Sequence, residues 1–171
     1  MISLKPQGLV KLKKDLALAK LMDFTDLVNF DDDPRPFREK ITAIEKRLEL
    51  LPMRELEYDH AFHGGVYLRT MIAPKGTMIS SYIYRKPHHC IISKVKASYR
   101  SEQSSQRIEA PYRFQADSGS KRLIYCETDL VWTTIIKTDA TTPEDAEKDI
   151  YLTSYEAWDN ECCANIIEVG G

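Results

Sequence analysis

Apolar and polar positions recur along the chain at two different periods. Between Gly65 and Thr138, short runs rich in Val, Ile, Tyr and Thr alternate inward and outward, as in half-buried strands. Turn signals separate the runs at Pro74-Lys75-Gly76, Arg85-Lys86-Pro87, Ser101 to Ser105 and Asp117 to Ser120. The strands expected are 65–73, 78–85, 88–99, 106–115, 121–127 and 129–137. An edge strand is expected within 53–64, where Glu55, Glu57 and Asp59 alternate with Leu56, Tyr58 and His60. Short strands joined in this way fold as a small antiparallel β-barrel or a double-sheet jelly roll, so the chain reads as mainly β.

The flanks carry the helical period. Residues 7–22 put Leu9, Leu12, Leu16 and Ala19 on one stripe, which predicts an amphipathic helix. A second helix is predicted over 34–51, with Phe37, Ile41, Ile44, Leu48 and Leu51 inward, Asp33 as N-cap, Pro34 in the first turn and Pro52 ending it. One helix of this hairpin is expected on the barrel and the other free for a partner. Thr142-Pro143-Glu144-Asp145 starts a short C-terminal helix. Beyond it, Tyr155, Trp158, Ile166 and Ile167 either pack back on the barrel or reach a neighbour. The divisions expected are 1–52 (helical segment), 53–140 (β-barrel) and 141–171 (helix and tail).

Composition narrows the function classes. Hydrophobic residues make up 43% and charged residues 29%, enough for a real core, and the net charge of −2 argues against a general binder of nucleic-acid backbones. Lys11, Lys13, Lys14 and Lys20 read as a solvated helix face. No run reaches the ~18 apolar residues of a membrane helix, and Met1 to Lys5 lacks a signal-peptide stretch. A reducing cytoplasm is therefore the expected setting, with no membrane partner. Cys90 and Cys126 fall within predicted strands as buried thiols, whereas Cys162 and Cys163 are adjacent and poorly placed to bridge each other. Without a CxxC pair, no structural zinc site is expected.

From about 62 to 140 the chain resembles the small cupin-like proteins found widely in tailed-phage genomes. The residues that carry the resemblance are Gly65-Val66-Tyr67 with Arg69, Ala73-Pro74-Lys75-Gly76-Thr77, His88, Cys90-Ile91-Ile92-Ser93-Lys94, Glu109-Ala110-Pro111, Gly119-Ser120-Lys121-Arg122 and Glu127-Thr128-Asp129-Leu130-Val131-Trp132-Thr133-Thr134. The resemblance covers a little under half of the chain. It implies a cupin-like double-stranded β-helix, a phage-encoded protein, and a place in the host cytoplasm or the virion.

Metal-binding cupins set histidines alternately along one strand after a glycine, then a glutamate, with a further histidine from a second motif. Counted from Gly76, the histidine places fall on Tyr82 and Tyr84, and the glutamate place on His88 or His89. After Gly119 the histidine place falls on Arg122. Phenols stay protonated at neutral pH and a guanidinium repels a cation, so no metal, cofactor or catalytic residue is expected. The candidate ligand-binding set is Tyr82, Tyr84, His88 and Arg122, with Arg69 and Trp132. Such a set suits a planar anionic small molecule, a nucleotide for example, by stacking and charge-assisted hydrogen bonds. The plainer expectation, placed ahead of it, is a barrel filled by its own side chains. His60 and His63 read as exposed loop imidazoles, while His88 and His89 point to opposite faces of a strand. The function expected first is non-catalytic binding by a homo-oligomeric accessory or virion protein, whose helices and tail contact other copies, phage proteins or host proteins. A small-molecule binder acting against host defence comes second, and a degenerate metal-dependent cupin enzyme third.

Overall fold

The structure, a computed structural model, describes residues 9–12, 30–49 and 56–169, with the backbone alone for 9–12 and 164–169. It contains two five-stranded sheets whose ladders are all antiparallel. The first has the order β1 (Leu9–Leu12), β4 (Thr77–Ser80), β10 (Arg122–Cys126), β7 (Lys96–Ser101), β8 (Ser105–Glu109). The second has the order β2 (Glu57–His63), β3 (Val66–Ala73), β11 (Leu130–Lys137), β6 (His88–Lys94), β9 (Tyr112–Ala116). Without the edge strands β1 and β2, β4-β10-β7-β8 lies against β3-β11-β6-β9. The chain crosses between the two sheets in the alternating sequence of a jelly roll.

Alternation puts the core between the sheets. Along β11, Leu130, Trp132, Thr134 and Ile136 are buried, whereas Val131, Thr133 and Ile135 are only half-buried. Leu130 and Trp132 meet Met71, Cys90 and Ile92 of their own sheet and Ile79, Ala97, Tyr99, Ile124 and Cys126 of the other, while Ile136 packs with Tyr67, Tyr84 and Ile150. Cys90 and Cys126 are buried free thiols, as expected. Gly64 and Gly65 join β2 to β3 with φ of +58° and +77°, a two-residue turn that needs left-handed backbone at both positions.

Two of the expected long strands are in fact corners. The run 88–99 breaks at Val95, where the chain leaves one sheet for the other, and 106–115 breaks at Ala110-Pro111, where it returns. The Ala110 N–H donates to the Val95 carbonyl at 2.8 Å, which ties the corners together. Period-two alternation runs on through Ala110-Pro111, so the side chains do not mark that corner, whereas the exposed pair Ser93-Lys94 shifts the buried positions from even to odd numbers just before Val95. The run 78–85 likewise divides into β4 and β5 (Ile83–Tyr84).

The flanks differ more. Leu9–Leu12 is a strand on the open edge of β4, not part of a helix; residues 13–22 of that expectation lie outside the described residues. Unpaired ladder groups along an edge outweigh a modest helical preference. The second helix, α1, is Phe37–Leu48, and its N-cap is Pro36. Asp33 does not cap it, because its carboxylate is taken by the backbone N–H and guanidinium of Arg35. Ile41, Ile44 and Leu48 of α1 cover the outside of the first sheet against Met78 and Leu123. β4 is therefore buried on both faces. The helix does pack on the barrel, as expected of one member of the hairpin.

At the C-terminal side, Thr142 caps α2 (Pro143–Ile150) by accepting the Asp145 N–H, as its sequence predicts. β12 (Tyr151–Leu152) pairs with β5, and α3 (Tyr155–Val169) turns the tail back onto the barrel. Among the described residues no helix is long and apolar enough to cross a membrane. Trp158 of α3 lies over Gly119, whose φ is +76°, and a Cβ there would stand 2.7 Å from the indole. Gly119→Ala is expected to lower stability by about 2–3 kcal/mol, combining left-handed strain with displacement of the ring. In a Trp158→Ala background the same change leaves only the backbone cost, about 1 kcal/mol, and urea midpoints distinguish the two cases.

Candidate functional site

The inward faces of β3 and β11 put two unlike groups side by side. Arg69 pairs with Thr134 across the ladder, and Trp132 is one step along at the Met71 pair. Arg69 is only 8% exposed. Its guanidinium carbon lies 4.0 Å from the ring centroid of Tyr58 on β2 and 5.6 Å from that of Tyr151 on β12. These π-faces favour a cation. Glu147 acts on Arg69 only through longer-range charge, without an ion-pair contact. The Arg69 Nε, the Trp132 Nε1 and the Tyr151 hydroxyl are all buried without a hydrogen-bond partner.

Arg69 and Trp132 meet at a cavity of about 40 Å³ whose wall also includes Tyr58, Tyr82, Tyr84 and Ser80. A buried water needs roughly 10–15 Å³ of such space, so the cavity holds about three waters or one small charged group. Tyr82 stacks on Tyr151 with centroids 5.0 Å apart, and Tyr84 meets Tyr151 edge-on at 4.9 Å.

His88 lies behind this wall, stacked on Tyr84 at 3.9 Å. Its Nδ1 is 3.1 Å from the Lys86 carbonyl oxygen. That nitrogen therefore donates, and Nε2 is left as a bare acceptor, buried without a partner. Burial, reinforced by the charge of Arg122 and opposed by the Lys86 bond, brings the His88 pKa down to about 4. The ring is thus neutral near pH 7. Arg122 stands apart from the cavity wall. Its Nε donates to the Tyr99 hydroxyl at 3.0 Å, one terminal nitrogen donates to Ser120 Oγ at 3.0 Å, and the other is unpartnered.

Four of the six residues singled out from the sequence, Arg69, Tyr82, Tyr84 and Trp132, thus share one cavity wall. His88 supports the wall and Arg122 does not reach it. Tyr58 and Tyr151 were missed. The alternation of Tyr58 with Glu57 and Asp59 marked it as inward-facing, but nothing local marks Tyr151, which arrives only through the β12–β5 pairing. His60 and His63 lie on β2 rather than in a loop, and His60 Nδ1 is 2.7 Å from the Tyr67 hydroxyl. His88 and His89 do point to opposite faces, one buried and one exposed.

A divalent cation does not fit these residues. Buried guanidiniums add positive charge, the free atoms at the cavity are chiefly N–H donors, and no group of three or more His, Cys, Asp or Glu that could hold a metal occurs among the described residues. A donor-rich, cationic and aromatic wall instead suits an anion.

No family model matches the chain, and no curated protein matches it. Solved structures with a similar course include an acetylacetone dioxygenase from Acinetobacter johnsonii, at 16% identity and a TM-score of 0.41 over 48% of this chain and 59% of that one. A RmlC-like cupin family protein with a double-stranded β-helix fold from Methanocaldococcus jannaschii matches at 15% and 0.41, over 49% of this chain and 81% of that one. A cupin superfamily protein from Desulfitobacterium hafniense DCB-2 matches at 11% and 0.43, over 63% and 92%. The chain spans less than two thirds of the dioxygenase's length.

Proposed function

We propose that this protein is a non-catalytic binder that takes the anionic group of a small molecule against Arg69. One observation carries the reading. Arg69 is a buried, permanent cation with an unsatisfied Nε and no carboxylate in ion-pair contact among the described residues. An unpaired buried charge is expensive, and the contacts with Tyr58 and Tyr151 compensate it without a counter-charge, leaving Nε unsatisfied. Trp132 Nε1 supplies a neighbouring donor. The cavity admits a phosphate- or carboxylate-sized head, while the Tyr82–Tyr151 stack offers a platform for a planar body.

Thermal unfolding with inorganic phosphate, acetate and a nucleoside monophosphate tests the reading. At least one probe is expected to raise the midpoint saturably. Arg69→Gln is expected to weaken that probe about ten- to a hundred-fold, the worth of a charge-assisted hydrogen bond. No response to any of the three, or an unchanged affinity in Arg69→Gln, removes the proposal.

A further inference from the structure

The outer face of the second sheet carries a charge pattern that is complementary to itself. Ladder register places the outward positions in rows. One row runs Asp59, Thr70, Thr133, Ile91, Arg113, and a neighbouring row runs Glu57, Ile72, Val131, Lys94. The β2 edge is therefore acidic, the β6–β9 edge basic and the centre apolar. Ile72 and Ile91 are 41% and 43% exposed, the exposed large hydrophobics of the described chain. Thr70 and Thr133 bond to each other at 2.8 Å, which takes the central hydroxyls out of play. Lys94 is paired with Asp129, but Glu57, Asp59 and Arg113 form no ion pair among the described residues. The first sheet differs, because α1 covers the outer face of β4 and β10.

We infer that this face docks a second copy of the chain, face to face, about a twofold axis parallel to the strands over β11. That operation reverses the strand order of the partner. The acidic β2 edge of each copy then lies over the basic β9 edge of the other, and Thr133 faces its own equivalent at the axis. A twofold axis across the strands would instead set β2 on β2, acid against acid, which costs binding energy. With strands roughly 4.8 Å apart and a rise of roughly 3.3 Å per residue, the face buries about 500 Å² per copy. The total of about 1,000 Å² is at the lower limit for a specific interface, so a dimer of micromolar affinity is expected.

Sedimentation equilibrium of the full chain tests this arrangement. The unaltered protein is expected to dimerise below about 100 μM. Arg113→Glu and Asp59→Arg should each raise the dissociation constant about tenfold, because each reversal is met twice across the axis. An equimolar mixture of the two variants should recover dimer, as should one chain carrying both changes. Ile91→Asp should leave monomer throughout. A monomeric unaltered chain at about 100 μM overturns the inference. So does a dimer indifferent to Ile91→Asp, or reversals that the mixture does not rescue.

Discussion

Glu45→Ala is expected to lower stability by about 3 kcal/mol, the lower end of the cost of breaking a buried ion pair. Glu45 lies on the barrel side of α1, and its Oε1 is 2.5 Å from both Lys121 Nζ and Ser80 Oγ. The two charged side chains are 15% and 5% exposed. Removing the carboxylate leaves the Lys121 ammonium buried with no counter-charge and deprives Ser80 of its acceptor. The Tyr155 ring, 5.6 Å from Nζ, compensates in part, which sets the expectation at the low end. Replacing both partners, as Glu45→Leu with Lys121→Met, should return stability to within about 1 kcal/mol of the unaltered chain, because no charge is then stranded. Urea denaturation of the single and double variants reads both values. A loss below about 1 kcal/mol in Glu45→Ala would mean that Lys121 reaches solvent and that the pair does not hold α1 to the sheet.

The second large effect is a loss of stability under mild acid. The His88 pKa is about 4 in the folded protein, against 6.5 for an unperturbed imidazole. Above 6.5 the ring is neutral in both states and carries no penalty. As pH falls from 6.5 toward 4 the unfolded chain takes up a proton that the folded chain refuses. Stability therefore declines through that window, by up to about 3 kcal/mol, and levels off below it. His60, whose pKa is lowered by burial and then by Arg69, adds a contribution of the same sign. Exposed Asp33, held at about 2 by hydrogen bonds from Arg35, loses its contribution only at lower pH. Urea midpoints between pH 8 and pH 4 measure the slope, and His88→Phe, which keeps the stack on Tyr84, should flatten most of it. An unchanged slope in that variant would place the responsible proton elsewhere.

The site was legible to the extent that parity along a strand reports direction. Arg69, His88 and Trp132 face inward because they alternate with Thr70, His89 and Thr133, and that holds whichever sheet each strand joins. Parity says nothing about what a side chain meets on arrival. Arg122 and Arg69 look equivalent in the sequence, yet the first bonds to Tyr99 and Ser120 away from the cavity and the second lies on the cavity wall beside Trp132. The Gly76 spacing drew attention to Tyr82 and Tyr84, and both do line the cavity, as aromatic walls.

By itself, the order of residues determined the strand-rich middle, the inward face of each strand, the cap at Thr142 and the burial of Cys90 and Cys126. Each follows from a period or a turn readable within a few residues. The tertiary structure alone decided that the chain changes sheets at Ala110, and that Leu9–Leu12 joins an edge instead of starting a helix. It also decided that Tyr151 closes over Arg69. These outcomes depend on backbone pairing between segments far apart in the chain, where the energy of filling a ladder or covering a cation exceeds the local preference of any short stretch.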